Sequence, residues 1–275
     1  MAAVGSWDVL VSPWHLEERI EGFPVPAGGV VLPASADQAQ TELGRLTARY
    51  GDVADRTARA DRPLVLAGDC LTAVGILAGV QRRRGNLSII WLDAHGDFNT
   101  PEISVSGYLA GMSLAAATGR VPQLVGEPVG LRAVPDERCL LIGARDLDPA
   151  ESDALAVSRV KRVAADPDAL RATLQKQSPM DVYLHLDVDI VDGGDLPGLR
   201  FPAPDGPTLS IVEDCLAQIV DYAPPAAACI ACAWESARIA DPSSLRAIGR
   251  LAAVIGADVQ WPLSRPDDLG RLDRT

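Results

Sequence analysis

The chain has 275 residues, 48% of them hydrophobic, and a formal net charge of −12 at neutral pH. This hydrophobic content is enough for a sizeable core, which excludes an intrinsically disordered protein. The excess of acidic residues disfavours nucleic acid and anionic membranes as partners, because both bind basic surfaces.

The compartment can be inferred from the apolar segments and the cysteines. No run of about 18 apolar residues is present, and the N-terminus lacks the pattern of a secretory signal. The five cysteines are an odd number spread along the chain, which is typical of buried thiols in a reducing compartment. Cys229 and Cys232 form a CxxC within an apolar run, which we interpret as a core strand rather than a zinc site. We therefore expect a cytoplasmic protein without a membrane segment.

Short apolar runs of strand length alternate with longer segments of helical spacing. The predicted strands are residues 8–11, 64–67, 87–92, 139–143, 182–186 and 229–234, and the predicted helices include residues 35–60, opening on a capping box of Ser35 and Gln38, and residues 243–255. Strands that are apolar on both faces and separated by helices indicate a parallel sheet covered on both sides. The sequence thus predicts one α/β domain over residues 1–275, with three α/β/α layers and a mainly parallel sheet. Ligands are expected at the carboxyl ends of its strands.

The predicted strand at residues 87–92 ends directly in Asp93, His95 and Asp97. In an extended chain these alternate positions lie on one face, and a modest bend allows them to converge on a metal site. Taken alone, such an acidic strand end could also be a helix cap or a magnesium-phosphate site.

Two further strand ends carry ligand-type side chains. Asp187 and Asp189 follow residues 182–186, and Asp69 and Cys70 follow residues 64–67. Several buried carboxylates in one place are unfavourable unless cations neutralise them. The combination therefore indicates bound divalent metal.

These segments resemble the signatures of the arginase and agmatinase (ureohydrolase) family. Residues 93–97 read Asp-Ala-His-Gly-Asp and resemble its DAHxD motif, and residues 187–189 resemble its DxD motif. Residues 68–70 resemble its GDH motif, residues 106–112 resemble its substrate-contact segment, and residues 234–236 resemble the segment with its late glutamate. The resemblance implies a single α/β domain with two manganese ions, Mn²⁺, at the carboxyl edge of the sheet.

By position, the resemblance also implies a ligand set for each ion. Cys70, Asp93, Asp97 and Asp187 would surround one ion, and Asp93, His95, Asp187 and Asp189 would surround the other. Oxygen-rich ligation with one imidazole suits manganese. A hydroxide shared by the two ions would be the nucleophile that attacks a guanidine carbon.

The resemblance assigns the remaining roles to side chains around this centre. Asp97 would accept a hydrogen bond from the attacking water, and Glu235 would pair with the guanidinium nitrogens, unless it is only a structural strand-end carboxylate. Asn99 and Ser106 match groups that hold the amino-acid end of the substrate, and Asp148 matches the carboxylate near its α-amino group. Asp148 is also expected at a helix start, where Pro149 suits the first turn.

The chain departs from the family pattern at several positions. Cys70 replaces the first ligand histidine. It could bind the metal as a thiolate, or that metal could be weakly bound or absent. Ala110 replaces the histidine that delivers protons to the leaving amine, and Tyr108 stands where arginases commonly have asparagine. Of the remaining histidines, we expect His185 to be packed in the core or to contact the metal ligands without binding the metal itself. His15 could approach the pocket and replace the proton donor.

The replacements at residues 70 and 110 resemble those of family members that cleave an N-hydroxylated arginine. The resemblance implies hydrolysis of Nω-hydroxy-L-arginine to hydroxyurea and L-ornithine, and a role in antibiotic biosynthesis. Alternatives are an arginase, a formiminoglutamate or guanidino-acid hydrolase, a noncatalytic metal-binding relative, and a deacetylase of related fold, which usually has a more histidine-rich centre. The polar stretch after Pro262 offers no apolar assembly element, so we expect a monomer that binds a small guanidino amino acid.

Overall fold

An eight-stranded parallel sheet forms the centre of the computed structural model, which describes residues 6–33, 41–177, 181–231, 233–235, 238 and 241–261. Its strands are β1 (Asp8–Ser12), β4 (Val30–Val31), β5 (Pro63–Ala67), β6 (Leu87–Leu92), β7 (Cys139–Ile142), β8 (Lys161–Val163), β9 (Asp181–Asp187) and β10 (Ala227–Ala231). The spatial order is β4-β1-β5-β10-β9-β6-β7-β8, and every neighbouring pair is parallel. The short strands β2 (Trp14–His15) and β3 (Glu18–Arg19) form a separate antiparallel pair.

Helices cover both faces of the sheet. The helices are α1 (Glu42–Thr57), α2 (Thr72–Gln81), α3 (Ser113–Ala117) and α4 (Pro149–Val157) on one face, and α5 (Pro167–Leu174), α6 (Leu209–Tyr222) and α7 (Pro242–Val254) on the other. Along β5, Val65 and Ala67 pack in the first core while Leu64 and Leu66 pack in the second. This alternation follows from the two-residue period of a strand. The predicted three-layer α/β fold is confirmed.

The central strands lie where the apolar runs predict them, and the differences concern the ends and edges. Strand β10 begins at Ala227 and ends at Ala231, so the predicted range of 229–234 is too late in the chain. The chain leaves the sheet after Ala231, and Ala233 already lines the pocket described below. The edge strand β8 was not predicted, because Lys161 and Arg162 are charged and exposed, as is common in edge strands.

Two predicted helices are present with altered starts. The described part of the first begins at Glu42, and its N-cap is Thr41, whose hydroxyl accepts a hydrogen bond from Gly44 N at 3.1 Å. The predicted capping box of Ser35 and Gln38 lies outside the described residues. The second, α7, follows Asp241, which caps the backbone of Ser243.

Cys229 lies in the core on β10, as the interpretation of the CxxC as a core strand requires, whereas Cys232 lies outside the described residues. Within the described ranges, no helix combines the length and hydrophobicity needed to cross a membrane. A single domain over the whole chain stays a prediction.

Candidate metal centre and substrate pocket

The end of β6 positions three candidate ligands. Asp93 is 1% exposed, and its carboxylate accepts hydrogen bonds from Trp91 Nε1 at 2.9 Å and from the His95 backbone N–H at 2.7 Å. Asp97 has a backbone φ of +48°, a left-handed conformation that aspartate tolerates better than most residues. The chain bends at Ala94 and His95, and the side chains of His95 and Asp97 line the same pocket.

The neighbouring strand β9 brings Asp187 and Asp189 to the same place. Asp189 lies in a short 3₁₀ turn directly after the strand, and its backbone N–H donates to Asp187 Oδ1 at 3.0 Å. Its carboxylate accepts a hydrogen bond from the backbone N–H of Ala94 at 3.2 Å. Because β6 and β9 are paired in the sheet, the two acidic strand ends lie side by side.

Asp69 and Cys70 follow the end of β5, and their side chains make different contacts. Cys70 Sγ donates to Asp187 Oδ2 at 2.8 Å. Asp69 accepts hydrogen bonds from the backbone N–H groups of Leu16 at 2.6 Å and Thr72 at 2.9 Å, and from the Tyr50 hydroxyl at 3.1 Å. The Asp69 carboxylate thus holds the loop after β2 and the start of α2, while Cys70 faces the acidic cluster.

Two groups of ligand atoms have the spacing that a metal ion requires. In one, single ligand atoms of Asp93, His95 and Asp189 lie within 4.8 Å of one another, and in the other the same holds for Cys70, Asp93 and His185. Asp93 belongs to both groups, whereas the predicted ligands Asp97 and Asp187 belong to neither, and the bridging roles of Asp93 and Asp187 stay predictions. The buried oxygen Asp97 Oδ2 has no hydrogen-bond partner among the described residues, although buried polar atoms normally have one. The donor set therefore fits two cations.

The charges of the cluster support the same conclusion. Burial, followed by repulsion from Asp93 and Asp187, raises the pKa of Asp97 well above its usual value. Burial and the charges of Asp189 and Asp93 likewise raise the pKa of Asp187. Although burial lowers it, hydrogen bonds to Asp189 and Asp93 raise the pKa of His95 to about 12. A divalent cation would replace these protons, since metal ligands bind in their deprotonated forms.

A pocket of about 240 Å³ opens above the acidic cluster. Asn99, Ser106, Tyr108 and Asp148 all line it, as does Ala110. Asn99 Nδ2 donates to Asp148 Oδ2 at 3.3 Å, while the buried Asn99 Oδ1 makes no hydrogen bond within the described ranges. Asp148 occupies the N-cap position of α4, but its side chain makes no capping hydrogen bond. Its carboxylate therefore faces the pocket instead of the helix.

The two other histidines occupy different positions. His15 is buried, its Nδ1 lies 3.2 Å from the carbonyl oxygen of Gly68, and its Nε2 lies 3.0 Å from the Tyr108 hydroxyl. It thus reaches the pocket wall through Tyr108. His185 is fully buried on β9 and stacks on Trp91, as the expectation of a packed side chain requires. Burial lowers the pKa of His185 to about 3, so its imidazole is neutral.

The surroundings of three side chains differ from the sequence-based predictions. Glu235, the predicted partner of the guanidinium, is exposed, and the nearby pocket wall contains Ala233. The role of Glu235 stays a prediction. Glu151 and Phe201 line the pocket but were not predicted. Glu151 could have been found from its place on the first turn of the helix after Asp148, and its carboxylate accepts the backbone N–H of Phe98 at 2.8 Å.

Comparisons with known proteins agree with this geometry. The Arginase family model matches residues 11–227. The N(omega)-hydroxy-L-arginine amidinohydrolase of Streptomyces lavendulae is 31% identical over 70% of this chain and 67% of that protein, and the arginase of Bacillus subtilis (strain 168) is 37% identical over 58% and 56%. These alignments span between about half and two thirds of the curated relatives.

The crystal structure of the arginase from Bacillus cereus superposes with a TM-score of 0.76 at 25% identity, covering 91% of this chain and 98% of that one. The parallel sheet, the acidic side chains at the ends of β6 and β9, and the match to the family model lead to one conclusion: the chain belongs to the arginase family.

Proposed function

We propose that the chain is a binuclear-metal amidinohydrolase that cleaves Nω-hydroxy-L-arginine to hydroxyurea and L-ornithine, with Mn²⁺ as its metal. The observation that carries the proposal is the pair of ligand groups sharing Asp93, which lies beneath a pocket with polar groups suited to an amino acid. The Streptomyces lavendulae relative has this named activity, while the similarity to arginases is comparable. The choice of substrate therefore rests on the pocket.

The predicted ligands would hold the two cations at the base of the pocket. Two cations there would supply positive charge that acidifies the attacking water and offsets charge developing on the substrate. Asp97 Oδ2, which has no hydrogen-bond partner in the described part of the chain, could accept a hydrogen bond from that water and orient it. The ligands are Cys70, Asp93, His95, Asp97, Asp187 and Asp189.

The polar groups that line the pocket in addition to the predicted metal ligands would bind the amino-acid end of the substrate. The Asp148 carboxylate is suited to an α-ammonium group, and the Asn99 amide and the Ser106 hydroxyl are suited to an α-carboxylate. Fixing this end sets the distance at which the guanidine carbon meets the water. The proposed substrate is thus a linear amino acid with a terminal guanidine group.

The leaving amine needs a proton, and Ala110 cannot supply it. Because the carbonyl oxygen of Gly68 can only accept, His15 donates to it from Nδ1, and His15 Nε2 is the nitrogen that hydrogen-bonds with the Tyr108 hydroxyl. This hydrogen bond connects the buried imidazole with the pocket, which Tyr108 lines. This pair is our candidate for the missing proton donor.

Hydrolysis of an N-hydroxylated guanidine needs less assistance from a proton donor. It is less basic than the guanidinium of arginine, and its extra oxygen provides a further contact for the cations and neighbouring groups. A site that has exchanged a histidine for Cys70 and another for Ala110, yet retains its buried acids, is therefore suited to it.

The test is a comparison of three substrates with protein loaded with Mn²⁺. Arginine, agmatine and Nω-hydroxy-L-arginine are supplied separately, and urea, hydroxyurea and the amine product are quantified. We expect the highest kcat/KM for Nω-hydroxy-L-arginine, because agmatine lacks the α-carboxylate and arginine needs stronger acid assistance. If arginine is hydrolysed best, the substrate assignment is wrong; if no guanidino compound is hydrolysed although metal is bound, the chain is a noncatalytic relative.

A further inference from the structure

His185 lies directly beneath the candidate metal centre. It belongs to β9 and shares a face of the strand with Asp187, two residues further on. Its side chain is completely buried. The adjacent strands β6 and β10 place Trp91 and Cys229 beside it in register.

Its neighbours fix the orientation of the ring. The imidazole stacks on the indole of Trp91 with a centroid distance of 3.6 Å and an interplanar angle of 10°. Its Nδ1 lies 3.0 Å from the hydroxyl of Tyr183, and that hydroxyl also hydrogen-bonds the side chain of Cys229. When Tyr183 donates to the sulfur of Cys229, it accepts the proton of His185 Nδ1, and Nε2 keeps a free lone pair.

The other ring nitrogen lacks a hydrogen-bond partner in the part of the chain that the structure describes. His185 Nε2 is buried and makes no hydrogen bond with any of the described residues. A buried nitrogen without a partner is unfavourable, so such an atom calls for an explanation. A well-packed ring with one satisfied nitrogen and one open nitrogen is typical of metal-binding histidines, whose second nitrogen is held by a hydrogen bond.

The surrounding atoms have the spacing of ligands around one cation. One ring nitrogen of His185, Sγ of Cys70 and a carboxylate oxygen of Asp93 all lie within 4.8 Å of one another. Because Nδ1 lies against the Tyr183 hydroxyl, Nε2 is the nitrogen that is open to a cation. Ligand bonds of about 2.0–2.3 Å place two ligands of the same ion up to about 4.6 Å apart. The three atoms therefore leave room for one ion between them, with little further movement.

We propose that His185 Nε2 is a ligand of the cation bound by Cys70 and Asp93. The proposal rests on the metal centre of the proposed function and adds a ligand to it. The imidazole that is absent at residue 70 is thereby supplied from β9, which β10 separates from β5 in the sheet. A thiolate, an imidazole and a carboxylate form a softer set than Asp93, His95 and Asp189, so this site should favour softer cations than its neighbour.

The chain has only three histidines, which allows a direct test by NMR on the whole protein. Full-length protein labelled with ¹⁵N in histidine is stripped with a chelator and loaded with ¹¹³Cd²⁺, a soft diamagnetic cation. Scalar coupling between cadmium and a ring nitrogen identifies each bound imidazole. We expect coupling at His95 and at His185 Nε2, and none at His15, which serves as the internal control.

The outcomes separate this proposal from the metal centre as a whole. Coupling at His95 alone would overturn the role of His185 and leave the metal centre intact. Absence of coupling at both histidines would overturn the metal centre and this proposal with it. The wild-type experiment does not depend on the folding of any variant.

A variant supplies a second measurement. We expect His185→Gln to weaken binding of one of two Cd²⁺ ions by at least about 10²-fold, whereas His15→Gln should leave both affinities unchanged. Protein stability without metal, followed by thermal unfolding, shows whether the His185→Gln chain folds. Unchanged binding of both ions by folded His185→Gln protein would contradict the proposal.

Discussion

Replacing Asp97 by asparagine is expected to lower kcat on the preferred guanidino substrate by about 10²- to 10⁴-fold, the range seen when a group that assists proton transfer is lost. Asp97 is 6% exposed and lines the pocket, and none of the described residues hydrogen-bonds to its Oδ2. Asparagine has nearly the same size, but it lacks the negative charge needed to hold a cation and to orient the water. Steady-state rates at saturating Mn²⁺ measure the effect.

The matched control for this variant is Asp153→Asn, because Asp153 is an exposed carboxylate on α4. We expect its kcat to equal that of the wild type. Metal analysis of both variants separates loss of a ligand from loss of water orientation. A folded Asp97→Asn protein with wild-type kcat would rule out the role that we propose for Asp97.

The fold and the clustering of acidic side chains at one edge of the sheet were largely predictable because they depend on strong local signals. Continuous apolar runs mark the buried central strands, and acids directly after such runs mark the carboxyl edge. The edge strands β4 and β8 were not predictable in this way, because Lys161 and Arg162 interrupt the apolar pattern and Val30–Val31 is only two residues long.

The walls of the pocket depend on contacts between distant segments. The pairing of His15 with Tyr108 joins residues 93 positions apart, and no local pattern indicates it. The same applies to the open nitrogen of His185, which depends on the orientation of one ring among three strands. Glu151 is a different case, since its place one helical turn after Asp148 could have suggested that both face the pocket.

Introducing histidine at residue 110 has the second large expected effect. Ala110 is 4% exposed and lines the pocket, so an imidazole there can reach the leaving amine. We expect Ala110→His to raise kcat/KM for arginine relative to Nω-hydroxy-L-arginine by about 10²-fold, the lower end of the range for general acid catalysis. The measurement is the ratio of the two kcat/KM values for each protein.

Ala110→Asn is the control, because asparagine is polar and of comparable length but cannot act as an acid at neutral pH. Its substrate ratio should stay near that of the wild type. We expect Cys70→His to shift the ratio in the same direction as Ala110→His, since it restores the neutral ligand of the family pattern. An unchanged ratio in both histidine variants would show that these positions do not determine which guanidine is cleaved.

The central claim is that the acidic side chains at the ends of β6 and β9 hold two cations and that both cations are required for hydrolysis. The most direct measurement is a titration of chelator-stripped protein with Mn²⁺, in which bound metal and product formation are followed together. We predict two bound ions per chain and a rate that rises as the second ion binds. Full hydrolysis with one ion, or without any, would contradict the claim.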